Sequence, residues 1–282
     1  MKIYIHTYGR SQDQQTLHRL SPAVRKKTWL VVQHRERELY DYPRVIVLPD
    51  KIRRLSPTRQ WLIENSDDSK IVLLDDDLAF YRRKAKTDWH LRYCEDKDID
   101  DLFAMLDGWL SDVAHCGVSA REGNNRIEPL FTECSRMMRV LAYNLEVVRK
   151  VGARFDRIET KQDFDMTLQL LRGGYKNRVS YEFAQGQWRS SNALGGCSDY
   201  RTKEMMSRCA GELADLHPGF VKVVEKETKT AWKDFGGVRK DVMIQWKKAY
   251  ESGQKTNSDR GPMRCIPDKG AASKSLRNRT LF

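Results

Sequence analysis

Apolar residues along this chain fall into short runs separated by polar punctuation, and the spacing within each run names an element. Lys2 to Thr7 alternates and ends at Tyr8-Gly9-Arg10, which predicts a strand running into a Gly-containing loop. Ser11 to Leu20 predicts a short helix. Thr28 to Gln33 predicts a second strand and Arg44 to Leu48 a third, closed by Pro49-Asp50. After a basic loop with Lys51, Arg53 and Arg54, Ser56-Pro57-Thr58 predicts a helix start with Pro at its first position, continuing through Arg59 to Glu64. Lys70 to Leu74 is the next strand. Strands alternating with helices give an α/β fold: a Rossmann-type, mostly parallel sheet flanked by helices on both faces, with ligands beyond the carboxyl ends of the strands.

The second half continues less regularly. Asp98 to Ala114 has the helical spacing of one buried face, Gly117-Val118-Ser119 predicts a short strand, and Leu141 to Val148 is an ordered apolar segment. Phe164, Leu168 and Leu171 share a face of a helix that begins near Gln162 and stops at Gly173-Gly174, which puts Asp163 in its first turn. Trp188 to Tyr200 is loop-like. His217 to Tyr250 is expected to be helical, with Val221, Val224, Trp232, Phe235 and Trp246 as packing residues. The expected organisation is a main domain over 1–215, a basic helical extension over 216–251 and a flexible basic tail over 252–282. There is no internal repeat.

Composition adds scale and partners. With 282 residues, 40% hydrophobic, the chain can bury one sizeable core and is long enough to be an enzyme. No stretch approaches the roughly 20 apolar residues of a membrane span, and Met1-Lys2 leads directly into a strand-like run, so a cytoplasmic protein without a membrane partner is expected. Six cysteines are scattered without a CxxC pair, the pattern of reduced thiols rather than a zinc ribbon or disulfide scaffold. The formal charge is +12, and from Lys222 onward 15 Lys/Arg stand against 7 Asp/Glu, a local +8. That asymmetry points to a polyanion such as nucleic acid, or to no more than a solvated basic tail.

The chemistry gathers where the architecture places it. Ile71-Val72-Leu73-Leu74 runs directly into Asp75-Asp76-Asp77, and consecutive carboxylates at a strand end call for a positive partner. A divalent cation, Mn²⁺ or Mg²⁺, completed by phosphate oxygens and water, satisfies that need; an acidic strand-to-loop turn is the structural alternative. A carboxylate at Asp163 in a helix first turn is expected to stay ionised, as a base for a hydroxyl proton or simply as a stabiliser of the helix end.

The order of these features resembles the nucleotide-binding half of GT-A glycosyltransferases. The resemblance implies a DxD motif at Asp75-Asp76-Asp77, with Asp77 as the principal metal ligand, Asp75 facing the donor ribose or sharing the metal, and Asp76 on the donor. It implies a donor site at Thr7, Tyr8, Gly9 and Arg10 near the base, and Arg59 near the base or diphosphate. The run Gln162-Asp163-Phe164-Asp165 with Arg172-Gly173-Gly174-Tyr175 is similar to the acceptor-side segment, in which a Glu-Asp pair opens a helix; Gln162 replaces the Glu. The role of general base in an inverting reaction is carried to Asp163, with Asp165 in reserve, and His217 is the one late histidine available to a metal shell, although a turn residue before Pro218 is the simpler role. More narrowly, the Tyr-Gly-Arg loop, the Ser-Pro-Thr-Arg start, the triple Asp and the stretch from Gln187 to Arg201 look like bacteriophage TET-associated DNA glycosyltransferases, over roughly residues 1–210. That family adds sugars from nucleotide-sugar donors, UDP-sugars here, to 5-hydroxymethylcytosine or another 5-hydroxymethylpyrimidine in DNA. Basic residues Lys226, Lys229, Lys233, Arg239 and Lys240 are then expected to form one phosphate-tracking face, with Arg189 nearby and Trp188 stacking on a displaced base; Trp232 could stack or pack in the core. The competing expectations are a GT-A enzyme acting on a polysaccharide, lipid carrier or protein, and a metal-dependent nuclease.

Overall fold

The protein is described from a computed structural model, which covers residues 1–85, 88–187, 195–228 and 237–258. Strand β1 (Lys2–His6) leads through helices α1 (Gln15–Arg19) and α2 (Pro22–Arg25) to β2 (Thr28–Gln33); β3 (Val45–Leu48) and α3 (Leu55–Asn65) precede β4 (Lys70–Leu74). After the acidic turn come β5 (Leu78–Arg83), β6 (Leu91–Tyr93), α4 (Asp96–Trp109), β7 (His115–Ala120), β8 (Phe131–Glu133), β9 (Val140–Asn144), α5 (Leu145–Val151), α6 (Gln162–Arg172), β10 (Asn177–Gln187) and α7 (Lys203–Leu216). Helix α3 starts at Leu55, before Pro57, so the proline sits at the third helical position rather than the first.

These strands form a 10-stranded sheet in the order β3-β2-β1-β4-β9-β7-β10-β5-β6, with β8 added to β10. β1 pairs in parallel with both β2 and β4, β2 with β3, and β7 with β10, whereas β5, β8 and β9 run against their neighbours. The sheet is therefore mixed and mostly parallel, as the strand–helix alternation implies. Alternation along β1 and β4 feeds two cores. Ile3, Ile5, Val72 and Leu74 pack with Leu17 of α1, Leu20 just after it, and Leu102 and Leu106 of α4 on one face; Tyr4, Ile71 and Leu73 pack with Leu62, Val148 and Met166 of α3, α5 and α6 on the other. The strand order reverses between β1 and β4, and it is at such a switch point that adjacent loops part and leave a crevice.

The C-terminal region corrects the sequence expectation. In place of a helix from His217 to Tyr250, β11 (Val221–Thr228) and β12 (Gly237–Ile244) form an antiparallel hairpin, followed by α8 (Trp246–Ser258). Val221, Val242 and Ile244 pack with Phe164, Leu168 and Leu171 of α6 and Leu213 of α7 in a third cluster. Helix α8 docks on the end of α6: a Cβ added at Gly253 would lie 2.5 Å from the Gly174 nitrogen and 2.6 Å from the Arg172 oxygen. Helix α8 runs on to Ser258, past the expected boundary at 251. None of the five described cysteines forms a disulfide, and no helix among the described residues is long and apolar enough to cross a membrane.

Candidate active site

The carboxyl ends of β1 and β4 lie side by side, with Ile5 registered on Leu74, so Thr7–Arg10 and Asp75–Asp77 emerge together. Thr16 of α1 pins the acidic turn: its hydroxyl donates to the Asp75 carbonyl (2.6 Å) and accepts from the Leu78 N–H (2.8 Å), while its own N–H reaches the Asp76 carbonyl (3.0 Å). Above this floor opens a cavity of about 1180 Å³ whose walls include Thr7, Tyr8, Arg10, Arg59, Asp75, Asp76, Asp77 and Asp163.

The three aspartates are held in three different states. Asp75 accepts from Arg59 (2.8 Å) and contacts the His6 ring (3.2 Å). Burial pushes its pKa up, but the His6 hydrogen bond and the Arg59 charge prevail and hold it at about 2. Asp76 is buried against Arg10 (2.5 Å); burial outweighs the arginine and raises it to about 6. Asp77 accepts from Arg10 (3.3 Å) and Gln187 (3.4 Å), and burial together with the Asp75 charge raises it above the ordinary carboxylate range. Asp76 Oδ2 and Asp77 Oδ1 are buried without a hydrogen-bond partner. Two such oxygens fit a hard divalent cation, which commonly takes one or two carboxylates and completes its shell with phosphate and water. Among the described residues no group of three or more His, Cys, Asp or Glu could hold a metal unaided.

The Tyr8-Gly9-Arg10 loop meets a second motif from far along the chain. The Gly196 N–H donates to the Tyr8 carbonyl (2.9 Å), and a Cβ at Gly195 would lie 2.8 Å from that same oxygen and 2.9 Å from Arg10 Cγ. Gly9, at φ +67°, faces Gly195 and gives its N–H to Glu36 (3.0 Å). It is thus a packing position, and does not line the cavity with Thr7, Tyr8 and Arg10.

The opposite wall is the N-terminus of α6. Asp163 lines the cavity there, and burial raises its pKa against the charges of Arg59 and Arg136. Desolvation therefore exceeds the helix-end effect expected from position alone. Two further arginines line the cavity: Arg136, whose charge acts on Asp163, and Arg139, whose carbonyl accepts from the Asp75 N–H (3.2 Å) and whose charge acts on Asp75 and Asp77; their only signal in the sequence is two arginines three apart ahead of an apolar strand. Arg54, Arg139 and Lys161 all line the cavity with left-handed backbones (φ +67°, +63° and +62°), a conformation that non-glycine residues adopt at a cost of order 1–3 kcal/mol and that clusters at functional sites.

Two candidates leave the site. Asp165 is fully buried, bonded to His217 Nε2 (2.7 Å) and Gln169 (3.0 Å), with Arg157 at 3.5 Å. His217 spends its other ring nitrogen on Arg172 (3.1 Å). Neither lines the cavity. The pair ties α6 to the end of α7, so the reserve base and the late metal histidine are structural. The expected phosphate-tracking face is also divided. Lys226 and Arg239 are cross-strand partners and line the cavity, whereas Lys240 pairs with Glu225 and points to the other face of the hairpin. Trp188, Arg189, Lys229, Trp232 and Lys233 lie outside the described residues.

The sequence profile described as TET-Associated Glycosyltransferase matches residues 1–196, which carry the strand ends, the triple aspartate and Asp163. The chain belongs to the TET-associated glycosyltransferase family. The family match ends before α7, the hairpin and α8. A search of curated proteins finds no match. Among solved structures, this TET-associated glycosyltransferase is similar to residues 1–349 of Staphylococcus aureus TarS in complex with UDP (11% identity, TM-score 0.43, 76% of this chain and 66% of that one). It is also similar to a mannosyltransferase from Pyrobaculum calidifontis in complex with GDP-Man and Mn²⁺ (13%, TM-score 0.45, 76% and 62%) and to a mycobacterial protein (10%, TM-score 0.49, 86% and 83%). The chain thus spans slightly less than two thirds of the length of the TarS fragment. The family assignment rests on the profile match.

Proposed function

We propose that this enzyme transfers a sugar from a UDP-sugar to 5-hydroxymethylcytosine, or another 5-hydroxymethylpyrimidine, in DNA, inverting the anomeric centre with Asp163 as the base. One observation carries the reading: a buried, cavity-facing carboxylate, raised by its surroundings, stands in the same cavity as the acidic turn at the sheet's switch point. A raised pKa makes Asp163 a stronger proton acceptor, and Arg59 and Arg136 keep it available in the ionised form. In the step, Asp163 takes the hydroxymethyl proton, the freed oxygen bonds to the anomeric carbon, and the bond to the donor diphosphate breaks with its electron pair leaving on phosphate oxygen. Asp77 and Asp76, through their unpartnered oxygens, are the residues to hold Mn²⁺ or Mg²⁺. Such an ion supplies charge neutralisation on the departing diphosphate. Arg10 braces the two carboxylates, and Arg59 with His6 fixes Asp75 for the ribose. The DNA acceptor is supported by the family match and by the cationic side chains of the hairpin at the cavity rim.

The test is nucleoside mass spectrometry of 5-hydroxymethylcytosine DNA incubated with the protein, Mn²⁺ and a panel of UDP-sugars. The expected result is a hexose or N-acetylhexosamine mass on the modified base. UDP-sugar hydrolysis without any gain of mass on a nucleoside would overturn the acceptor and leave the transferase.

A further inference from the structure

One face of the β11–β12 hairpin carries a charge cluster that neither the donor site nor the base explains. Asp241 Oδ1 accepts from Lys161 Nζ (2.9 Å) and from the Val242 N–H (2.9 Å), and its Oδ2 accepts from Lys226 Nζ (3.0 Å), with Arg239 Nη2 at 3.6 Å. Three cations thus surround one carboxylate, a local excess of +2, and all four side chains line the cavity. Burial pushes the Asp241 carboxyl up, but the bond from Lys161 and the neighbouring cations hold it well below the usual range, so it stays charged at any working pH. Arg239 Nε is buried with no hydrogen-bond partner, and Lys226 is half exposed with two further N–H donors to offer. A desolvated guanidinium N–H without an acceptor, beside surplus positive charge, marks a place built for an anion. Lys161 immediately precedes α6, two residues before Asp163, so an anion held here sits at the entrance to the base.

We infer that Lys226, Arg239 and Lys161 form a subsite for one phosphodiester of the acceptor strand, with Asp241 holding the three cations in place. The inference deepens the DNA-acceptor reading and rests on it. Two sources could supply the phosphate, the acceptor backbone or the donor diphosphate. The hairpin wall favours the backbone, because the donor side already has Arg10 and Arg59 on the strand ends, whereas the hairpin reaches the rim beside Asp163.

The experiment measures binding of a 5-hydroxymethylcytosine duplex by fluorescence anisotropy across a salt series, and binding of UDP by calorimetry, for wild type, Lys226→Ala/Arg239→Ala and Lys240→Ala. The double variant is expected to bind the duplex at least tenfold more weakly, with its log Kd against log salt slope reduced by about 1, because one phosphate contact is lost. Lys240→Ala, of equal charge per residue but on the opposite face, is expected to shift the duplex Kd less than threefold. Duplex binding by the double variant with wild-type affinity and slope overturns the subsite and leaves the DNA acceptor standing. A loss of UDP affinity as large as the loss for duplex assigns the cluster to the donor and also overturns it. Wild type that shows no salt-dependent duplex binding removes the DNA acceptor itself, and the subsite with it.

Discussion

On the wall made by β1 and β4, opposite charges are locked against each other: Arg59 and His6 on Asp75, Arg10 on Asp76 and Asp77, with Thr16 pinning the turn beneath them. On the wall made by α6 and the hairpin, the raised carboxylate of Asp163 feels the charges of Arg59 and Arg136, while Lys161, Lys226 and Arg239 gather on Asp241. The first wall grows directly out of the carboxyl ends of adjacent strands β1 and β4; the second is assembled from α6 and the hairpin, which lie far apart in sequence. On the function proposed above, the first wall offers a diphosphate rigidly braced charges with Asp76 Oδ2 and Asp77 Oδ1 left open, and the second offers a carboxylate poised by burial to take a proton.

Breaking the second wall gives the largest effect. Asp163→Asn is expected to lower kcat by about 10²–10⁴ while leaving the donor KM within about twofold, the signature of a lost proton acceptor in steady-state kinetics. If Asp163→Asn instead kept kcat and only raised KM, Asp163 would return to a helix-end role. On the first wall, Asp77→Asn is expected to weaken UDP binding in Mn²⁺ by roughly 10–100-fold, the range of a charge-assisted contact, and to have far less effect in EDTA; calorimetry with and without the metal reads both.

Beneath the second wall, His115 sits on β7 with neither ring nitrogen bonded, stacked on Tyr143, whose ring meets Phe155 edge-on. Burial alone lowers its pKa to about 3, from 6.5 in the unfolded chain. Between those values the unfolded state binds the proton and the native state does not, so the stability due to this residue is complete above pH 6.5 and is lost as pH falls towards 3. At pH 5 that loss comes to about 2 kcal/mol. His115→Phe, which sacrifices no hydrogen bond, should remove that part of the pH dependence in urea unfolding at pH 7 and pH 5; an unchanged slope would mean that the ring is protonated or solvated in the native state. The smallest effect is expected where the first wall meets its partner loop. Gly195→Ala puts a Cβ 2.8 Å from the Tyr8 carbonyl at φ +85°, and should cost about 1 kcal/mol of stability with a raised donor KM, read by thermal unfolding and kinetics.

The same comparison explains what the sequence disclosed. The first wall was legible because an apolar strand broke directly into carboxylates and a glycine loop ended another, both local signals. His6 was not, since its role is set by a contact with Asp75, 69 positions away. Strand β10 has no clean alternation because it lies in the sheet interior with Ser180 and Gln185 buried among apolar neighbours. The hairpin's sequence predicts a helix because Val221 and Val224 are three apart, a spacing that a strand also carries when adjacent positions on its two faces, here Val223 and Val224, are both apolar. Asp165 and His217 looked chemical one by one; only the fold shows that they consume each other.

Helix α6 contributes Met166 and Leu170 to the core beneath the sheet and Phe164, Leu168 and Leu171 to the one shared with α7, α8 and the hairpin. It therefore belongs to two cooperative units at once, and neither can open without loosening it. In native-state hydrogen exchange the amides of α6 should be more protected than those of the hairpin, which lose protection together with the first turn of α6 in a smaller opening. Loss of the C-terminal packing would then be felt as mobility at Asp163 before it was felt as unfolding of the sheet.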